Sequence, residues 1–276
     1  MIPIVYCGNK GIFEGLFLSA VSVAMRTDAD LDVRIISMEY TKGHPRNVPI
    51  DKEQIELLDK ALKTFNPNNR AQLFDYSKEF VRDFEGGKNV KTGYTPYAFL
   101  RLYMDDPEFI PYDKAIYLDT DTMCNRDIKE LFDIDVSDYE YAANPDYMGR
   151  FWIRKDYCNS GVLLVNCKMI RENGLFKKCR ELLYRKHYLM PDQSALDALS
   201  TKRLYLGDRF NEQRALKPET VIKHFNKGMK WFPIPHLYNV KQWHREDVHN
   251  KLKIFAFDKD FEFYDKFMKE NAKEKD

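Results

Sequence analysis

The sequence predicts an α/β fold, a mostly parallel sheet with helices on both faces. Three observations carry that expectation. Short apolar runs of strand length alternate with segments of helical period. The first 75 residues read strand–helix–strand–helix–strand, the order that right-handed crossovers join into one parallel sheet. An apolar run at 115–118 then ends in Asp119-Thr120-Asp121, and open sheets of this class gather ligands at the carboxyl ends of their strands.

The elements follow in order. Residues 2–6 are apolar and run into Cys7-Gly8-Asn9-Lys10-Gly11, a buried strand followed by a loop. Phe13, Leu16, Phe17, Ala20, Val21 and Ala24 fall at helical spacing. Residues 31–38 form a second strand. Asp51 opens a helix to about residue 65, with Glu53 and Gln54 in its first turn. Residues 71–75 complete the first half as a third strand. Beyond it, 96–104 predict a helix and 115–118, 139–143 and 161–166 predict strands. Residues 168–188 read as one long helix and 191–199 as a shorter one with Pro at its start. After residue 200, Pro218, Pro233, Pro235 and aromatic clusters predict loops packed on the domain. The last stretch, 258–276, reads as a solvated helix with five lysines against seven acids, not a polybasic membrane patch. The expected organisation is one domain over 1–257 with a helical tail over 258–276.

Composition excludes several classes. The chain has 276 residues and a formal net charge of +1, which gives no electrostatic basis for nucleic-acid binding. Hydrophobic residues at 44% and charged residues at 32% mark a globular protein rather than a disordered one. No window approaches the ~20 apolar residues of a membrane helix. The N-terminus carries no basic region ahead of its apolar stretch, so no signal peptide is expected and a cytoplasmic location is. Five cysteines without CxxC spacing argue against a disulfide framework or a thiolate zinc site.

Asp119 and Asp121 are the sharpest chemical signal. Two hard oxygen donors at a strand end suit Mn²⁺ or Mg²⁺, and such an ion would neutralise a diphosphate. The same pattern serves phosphatases of the haloacid dehalogenase type, where the first Asp is the nucleophile. Those enzymes usually carry Thr or Val where Met123 stands, and their motif follows the first strand.

Further segments separate the two readings. They are Tyr97-Ala98-Phe99-Leu100-Arg101-Leu102, Tyr117-Leu118-Asp119-Thr120-Asp121, Asn159-Ser160-Gly161-Val162-Leu163-Leu164-Val165-Asn166, Asp192-Gln193, and His224-Phe225 followed by Gly228, Lys230 and Trp231. In this order they resemble the retaining glycosyltransferases that include glycogenin and the bacterial lipopolysaccharide galactosyl- and glucosyltransferases. The resemblance runs from the first strand to about Trp231. It implies a GT-A fold, a Rossmann-like nucleotide-sugar-binding catalytic domain over 1–257. It implies Mn²⁺ (or Mg²⁺) bound by Asp119, Asp121 and His224. Donor contacts are implied for Cys7, Asn9, Gly11, Arg101, Asn159, Ser160, Gly228 and Lys230. Asp192, Gln193 and Asp146 are implied at the reacting centre. The family commonly reads His-x-x-Gly-x-x-Lys-Pro-Trp. Here the glycine comes one residue late and the proline is missing. Asn9 also stands where the family often offers an Asp to uracil, and Asn can both donate and accept.

The implied activity is transfer of glucose or galactose from a UDP-sugar to a glycan or glycolipid hydroxyl, with retention, in lipopolysaccharide-type biosynthesis. A Gln is a weak nucleophile, which favours front-face transfer over double displacement. A phosphatase and a non-catalytic nucleotide-sugar binder remain the alternatives. Tyr147, Phe151 and Trp152 could stack on an acceptor sugar or close the core. The segment around Trp243 and the C-terminal helix are the candidates for peripheral contact at the inner face of a membrane.

Overall fold

The β-strand β1 (Ile2–Cys7) is buried along its whole length and sits third in a seven-stranded sheet. A computed structural model describes residues 1–43, 45–90, 95–230, 234 and 236–273. The other strands are β2 (Leu31–Ser37), β3 (Arg70–Asp75), β4 (Lys114–Leu118), β5 (Thr122–Cys124), β6 (Tyr141–Pro145), β7 (Cys158–Asn166), β8 (Arg203–Tyr205), β9 (Ile222–His224), β10 (Gly228–Lys230) and β11 (His236–Tyr238). The main sheet runs β3-β2-β1-β4-β7-β6-β8. All of its pairings are parallel except those of β7, which is antiparallel to both β4 and β6. Two small sheets, β5–β9 and β10–β11, stand apart from it.

Ten α-helices accompany these strands among the described residues. They are α1 (Phe13–Ala24), α2 (Lys52–Lys63), α3 (Ser77–Phe84), α4 (Lys129–Phe132), α5 (Gly149–Trp152), α6 (Cys167–Asn173), α7 (Leu175–Arg185), α8 (Pro191–Leu199), α9 (Arg245–Leu252) and α10 (Asp258–Lys273). Strand alternation divides the core in two. Ile4, Tyr6, Ile35 and Ile116 face a cluster with Leu16, Phe17 and Leu58, from α1 and α2. Val5, Ile36, Tyr117 and Leu163 face a second cluster with Phe176, Cys179 and Leu196, from α7 and α8. Each fully buried side chain of this size stabilises the fold by about 1.5–3 kcal/mol.

The helix expected over 96–104 is present as a 3-10 helix, Pro96–Tyr103. Three sequence expectations need correction. β7 begins at Cys158, so Asn159 and Ser160 lie inside the strand. The long helix over 168–188 is two helices, broken at Gly174, whose φ is +66°. Residues beyond 200 hold four short strands, β8 to β11, where loops were expected. Strands of three residues are too short for a hydrophobic period to show, and pairing partners hold them instead.

α10 lies against α1. Phe17 meets the rings of Tyr264 and Phe267, with centroids 5.3 and 5.8 Å away. Arg26 makes two hydrogen bonds of 2.7 Å to the carboxylate of Asp260.

Gly174 gives a clean test of this reading. A Cβ there would meet no atom within 4 Å, so only backbone strain opposes it. Gly174→Ala should cost about 1 kcal/mol, measurable by chemical denaturation, with the m-value unchanged.

Candidate active site

The acid pair sits where β4 leaves the sheet. The Asp119 N–H donates to the Gly161 carbonyl at 2.7 Å, and the Asp119 carbonyl accepts from the Thr122 N–H (3.1 Å) and hydroxyl (2.8 Å). This turn leads into β5, which pairs with β9 so that Thr122 stands opposite His224. That register brings His224 Nε2 to 3.1 Å from Asp121 Oδ1 and 3.8 Å from Asp119 Oδ2. One ligand atom from each of the three lies within 4.8 Å of the others. Gly161 makes this convergence possible. A Cβ on it would lie 2.3 Å from His224 Cε1 and 2.7 Å from Asp119 Oδ2.

The donor set fits a hard divalent cation: two carboxylates and an imidazole. Asn211 fixes the imidazole. Its Nδ2 donates to Asn159 Oδ1 at 2.9 Å, which leaves its Oδ1 to accept from His224 Nδ1 at 3.0 Å. Nε2 is then the nitrogen that faces the acids, either as a donor to Asp121 or as a metal ligand. Burial pushes the Asp121 carboxyl up, but His224 and Lys241 outweigh it and hold it far below the usual carboxylate range. Lys241 Nζ lies 2.5 Å from Asp121 Oδ2 and 3.0 Å from the Phe225 carbonyl.

Arg101 supports the other acid. Its guanidinium donates to the carbonyls of Ala98 and Ser160 and to Asp119 Oδ1 (2.9 Å). It also pairs with Asp192 at 3.2 Å and lies over the Tyr117 ring. With its side chain buried among these partners, it positions Asp119 and Asp192 from within the protein. Asp192 is wholly buried; Oδ2 accepts from the Ser160 hydroxyl at 2.8 Å, while Oδ1 has no hydrogen-bond partner. Gln193 accepts from the Ser160 N–H at 3.2 Å, and its amide nitrogen meets only the Met190 sulfur, at 3.7 Å. Asp146 accepts from the N–H groups of Met148 and Gly149 and, through Oδ2, from Asn159 Nδ2. Both oxygens are thus engaged, which makes Asp146 a brace between the 146–157 loop and β7.

A cleft of about 300 Å³ opens on these residues, lined by Cys7, Asn9, Arg101, Asp119, Asp121 and Lys241 among others. A larger cavity lies between α3 and α7, away from the acid pair. The Cys7 thiol is pushed up by burial and stays neutral. Asn9 Oδ1 is buried without a hydrogen-bond partner. Gly11 does not line the cleft; it is exposed in the turn Lys10–Ile12, and a Cβ there would meet only Asn9 Oδ1 at 3.5 Å. Gly228 is set by packing, because the Tyr238 ring occupies the place of its Cβ. Lys230 closes β10 opposite His236; its side chain and Trp231 lie outside the described residues.

Reasoning from sequence missed Lys241, Gln242, Trp243, Asn211 and Gln213. Lys241-Gln242-Trp243 repeats the Lys-x-Trp of the family pattern, eleven residues later than position 230, where the family spacing from His224 would place its lysine. Gln242 donates to the carbonyls of Thr120 (2.7 Å) and Gly15 (3.3 Å). Trp243 lies where a Cβ on Gly15 would be. Residues 226–240 therefore interrupt the motif between its histidine and its lysine with the β10–β11 hairpin. Gln213 joins that hairpin's base to the 146–157 loop, through Asn226, Pro145 and the Tyr147 N–H.

A family model described as glycosyl transferase family 8 matches residues 3–245. The chain belongs to glycosyl transferase family 8. Among its relatives, the glycosyltransferase GlyA of Streptococcus pneumoniae is 35% identical over 104 residues, 37% of this chain and 15% of that protein. The chain thus spans a small part of the length of the curated relatives it matches first. The lipopolysaccharide 1,2-glucosyltransferase of Escherichia coli K12 is 24% identical over 92% of this chain and 76% of its own. Among solved structures, the galactosyltransferase LgtC superposes with a TM-score of 0.66 at 20% identity, covering 95% of both chains. GlyE of Streptococcus pneumoniae gives 0.64 at 19% identity, over 96% of this chain and 64% of its own. The fold is GT-A, and residues 3–245 are a domain of a glycosyltransferase family. Neither the phosphatase nor the non-catalytic binder is favoured by these matches.

Two substitutions test the family 8 site. Gly161→Ala should abolish divalent-metal binding in calorimetry while the far-UV circular dichroism is retained. Asn211→Ala should weaken Mn²⁺ by roughly 10–100-fold, read by the electron paramagnetic resonance of free Mn²⁺, with Asn211→Asp close to wild type.

Proposed function

We propose that the protein transfers a hexose, glucose or galactose, from a UDP-sugar to a glycan or glycolipid hydroxyl with retention. The observation that carries this is the convergence of Asp119, Asp121 and His224 beside a cleft lined by Asn9, whose buried Oδ1 has no hydrogen-bond partner; Asp192, with a second such oxygen, is buried behind Arg101. Asn9 Oδ1 suits the N3–H of uracil, and Asp192 Oδ1 suits a sugar hydroxyl. Mn²⁺ or Mg²⁺ on the three ligands would supply positive charge for the diphosphate. In this reading residues 1–257 are the catalytic domain and 258–276 a helical tail, in a cytoplasmic protein. No helix among the described residues is long and apolar enough to cross a membrane.

The chain's own residues divide the work. Lys241, rather than Lys230, is the cation placed for the departing diphosphate, because it already meets Asp121 in the cleft. Cys7 and Asn9 border the base and ribose end of the cleft. Asn159 and Ser160 order Asp146 and Asp192 around the donor sugar. The Gln193 carbonyl is held by the Ser160 N–H, and an amide oxygen is weakly nucleophilic, so Gln193 is a poor group for a glycosyl-enzyme bond. A front-face transfer balances without one. The acceptor oxygen bonds to the anomeric carbon as the bond from that carbon to the diphosphate oxygen breaks. The hydroxyl proton passes to a departing phosphate oxygen.

Calorimetric titration with UDP, with ADP and GDP as controls, tests the reading. UDP should bind with Mn²⁺ and fail with EDTA. Lys241→Ala should raise the UDP Kd at least about tenfold, as loss of a charge-assisted contact does, and Lys230→Ala should leave it unchanged. The reverse pattern would return the motif lysine to position 230. Gln193→Ala should keep near wild-type turnover; loss of all turnover in a folded variant would reinstate a double displacement.

A further inference from the structure

A chain of buried hydroxyls stands behind the acid pair, and neither the cation nor the donor touches it. The Tyr6 phenol on β1 lies 3.0 Å from the Ser19 hydroxyl on α1. Ser19 lies 3.0 Å from the Thr122 hydroxyl at the start of β5, and Thr122 lies 2.8 Å from the Asp119 carbonyl. All three side chains are buried. Ser22 adds a second tie farther along α1. Its hydroxyl accepts from the Cys124 N–H at 2.8 Å and donates to the Ser19 carbonyl at 2.6 Å. Both ends of β5 therefore hang on α1.

One arrangement of protons satisfies this chain. A hydroxyl has one proton to donate and a carbonyl has none. Thr122 must donate to Asp119, so Ser19 must donate to Thr122, and Tyr6 to Ser19. Burial pushes the Tyr6 phenol well up, so it keeps the proton that starts the series. The bonds thus point one way, from the strand that ends in Cys7 to the backbone of the acid pair. Their endpoint is one of three successive pins. The carbonyls of Asp119, Thr120 and Asp121 are held in turn by the Thr122 hydroxyl, by Gln242 Nε2 at 2.7 Å and by the Phe225 N–H at 2.7 Å. Two like charges one residue apart repel each other, and a turn free to splay would carry them off a shared ion. Pinned peptide planes prevent that.

We infer that Tyr6, Ser19 and Thr122 are positioning residues for the cation site, a hydroxyl relay that sets the Asp119 peptide and so the separation of the two carboxylates. The inference rests on the reading of Asp119, Asp121 and His224 as cation ligands, and it adds three residues that touch neither ion nor donor. Thr122 is the junction of the relay. Its hydroxyl serves the Asp119 carbonyl, while its backbone pairs with His224 across β5 and β9. One residue thus relates the backbone of the first carboxylate to the strand that carries the imidazole.

Titration of the full chain with Mn²⁺, read by electron paramagnetic resonance, tests this without any catalytic readout. Thr122→Val keeps the side-chain shape and deletes the hydroxyl, whereas Thr122→Ser keeps the hydroxyl. Tyr6→Phe deletes the far end of the relay and leaves the turn untouched. Thr122→Val should raise the Mn²⁺ Kd roughly tenfold, as loss of a group behind a ligand does. Tyr6→Phe should raise it about threefold, because the relay loses its first donor. Thr122→Ser should stay within about twofold of wild type. Circular dichroism in EDTA shows which variants are folded at the titration temperature. A folded Thr122→Val that binds Mn²⁺ as wild type does overturns the inference, even with a lowered Tm, since the hydroxyls would then serve stability alone. Thr122→Ser as weak as Thr122→Val overturns it too. Should Thr122→Val fail to fold, Tyr6→Phe decides, and unchanged affinity there overturns the inference. A wild type that binds no Mn²⁺ overturns the cation reading and this inference with it, and is told apart because the unaltered chain is itself silent.

Discussion

Three carboxylates, those of Asp119, Asp121 and Asp192, are drawn together at the exit of β4 and must be neutralised there. Carboxylates withdrawn from water cost several kcal/mol each unless paired and hydrogen-bonded. Arg101 answers Asp119 and Asp192 together, while Lys241 and His224 answer Asp121. Much of the surrounding architecture serves those pairs. The 3-10 helix delivers Arg101 from beneath the sheet. The β5–β9 pairing delivers His224. The 241–243 segment delivers Lys241, tied down by Gln242 and Trp243. Removing Arg101 would leave the buried Asp192 without its cation, so the site is also a structural knot.

Hydrogen bonds run outward from that knot in two directions. One path goes from Asp119 through Arg101 to Asp192 and the Ser160 hydroxyl. The other goes from His224 through Asn211 and Asn159 to Asp146. The first reaches the Ser160 hydroxyl on β7, the second the loop over 146–157. Lys223 reinforces the second path from behind, donating to the carbonyls of Glu212 and His224, while burial pulls its ammonium down to about 7. A polar network of this kind is stiff because each member is fixed by the next.

The first half of the fold was legible because β1 is wholly apolar, β2 and β3 carry apolar residues of strand length, and helices of clear period separate them. Asp119 and Asp121 were legible for the same reason: a buried run that ends in charge marks a strand end. His224 could be placed only by resemblance, since its position depends on a three-residue strand with no period of its own. Lys241 was missed because sixteen intervening residues hide its link to His224, and Lys230 offered the spacing that the motif requires. Asn211 and Gln213 carry no sequence signal at all. Buried amides look like loop residues until their partners, scattered from Pro145 to Asn226, are brought around them. Gly161 and Gly174 look alike in sequence, yet one clears space for a ligand set and the other bends a helix.

β7 runs against the rest of the sheet, and this changes what the chain can tolerate nearby. Its first residues, not its last, lie at the ligand edge, so the loop over 146–157 feeds directly into Asn159 and Ser160. Both ends of that loop are pinned to each other by Asp146, whose carboxylate grips Asn159 across the loop's mouth. The span between is therefore insulated from the donor residues, as a handle is from the drawer it closes. Lineages could lengthen, shorten or rewrite it to meet different surfaces or acceptors while the donor geometry stays in register.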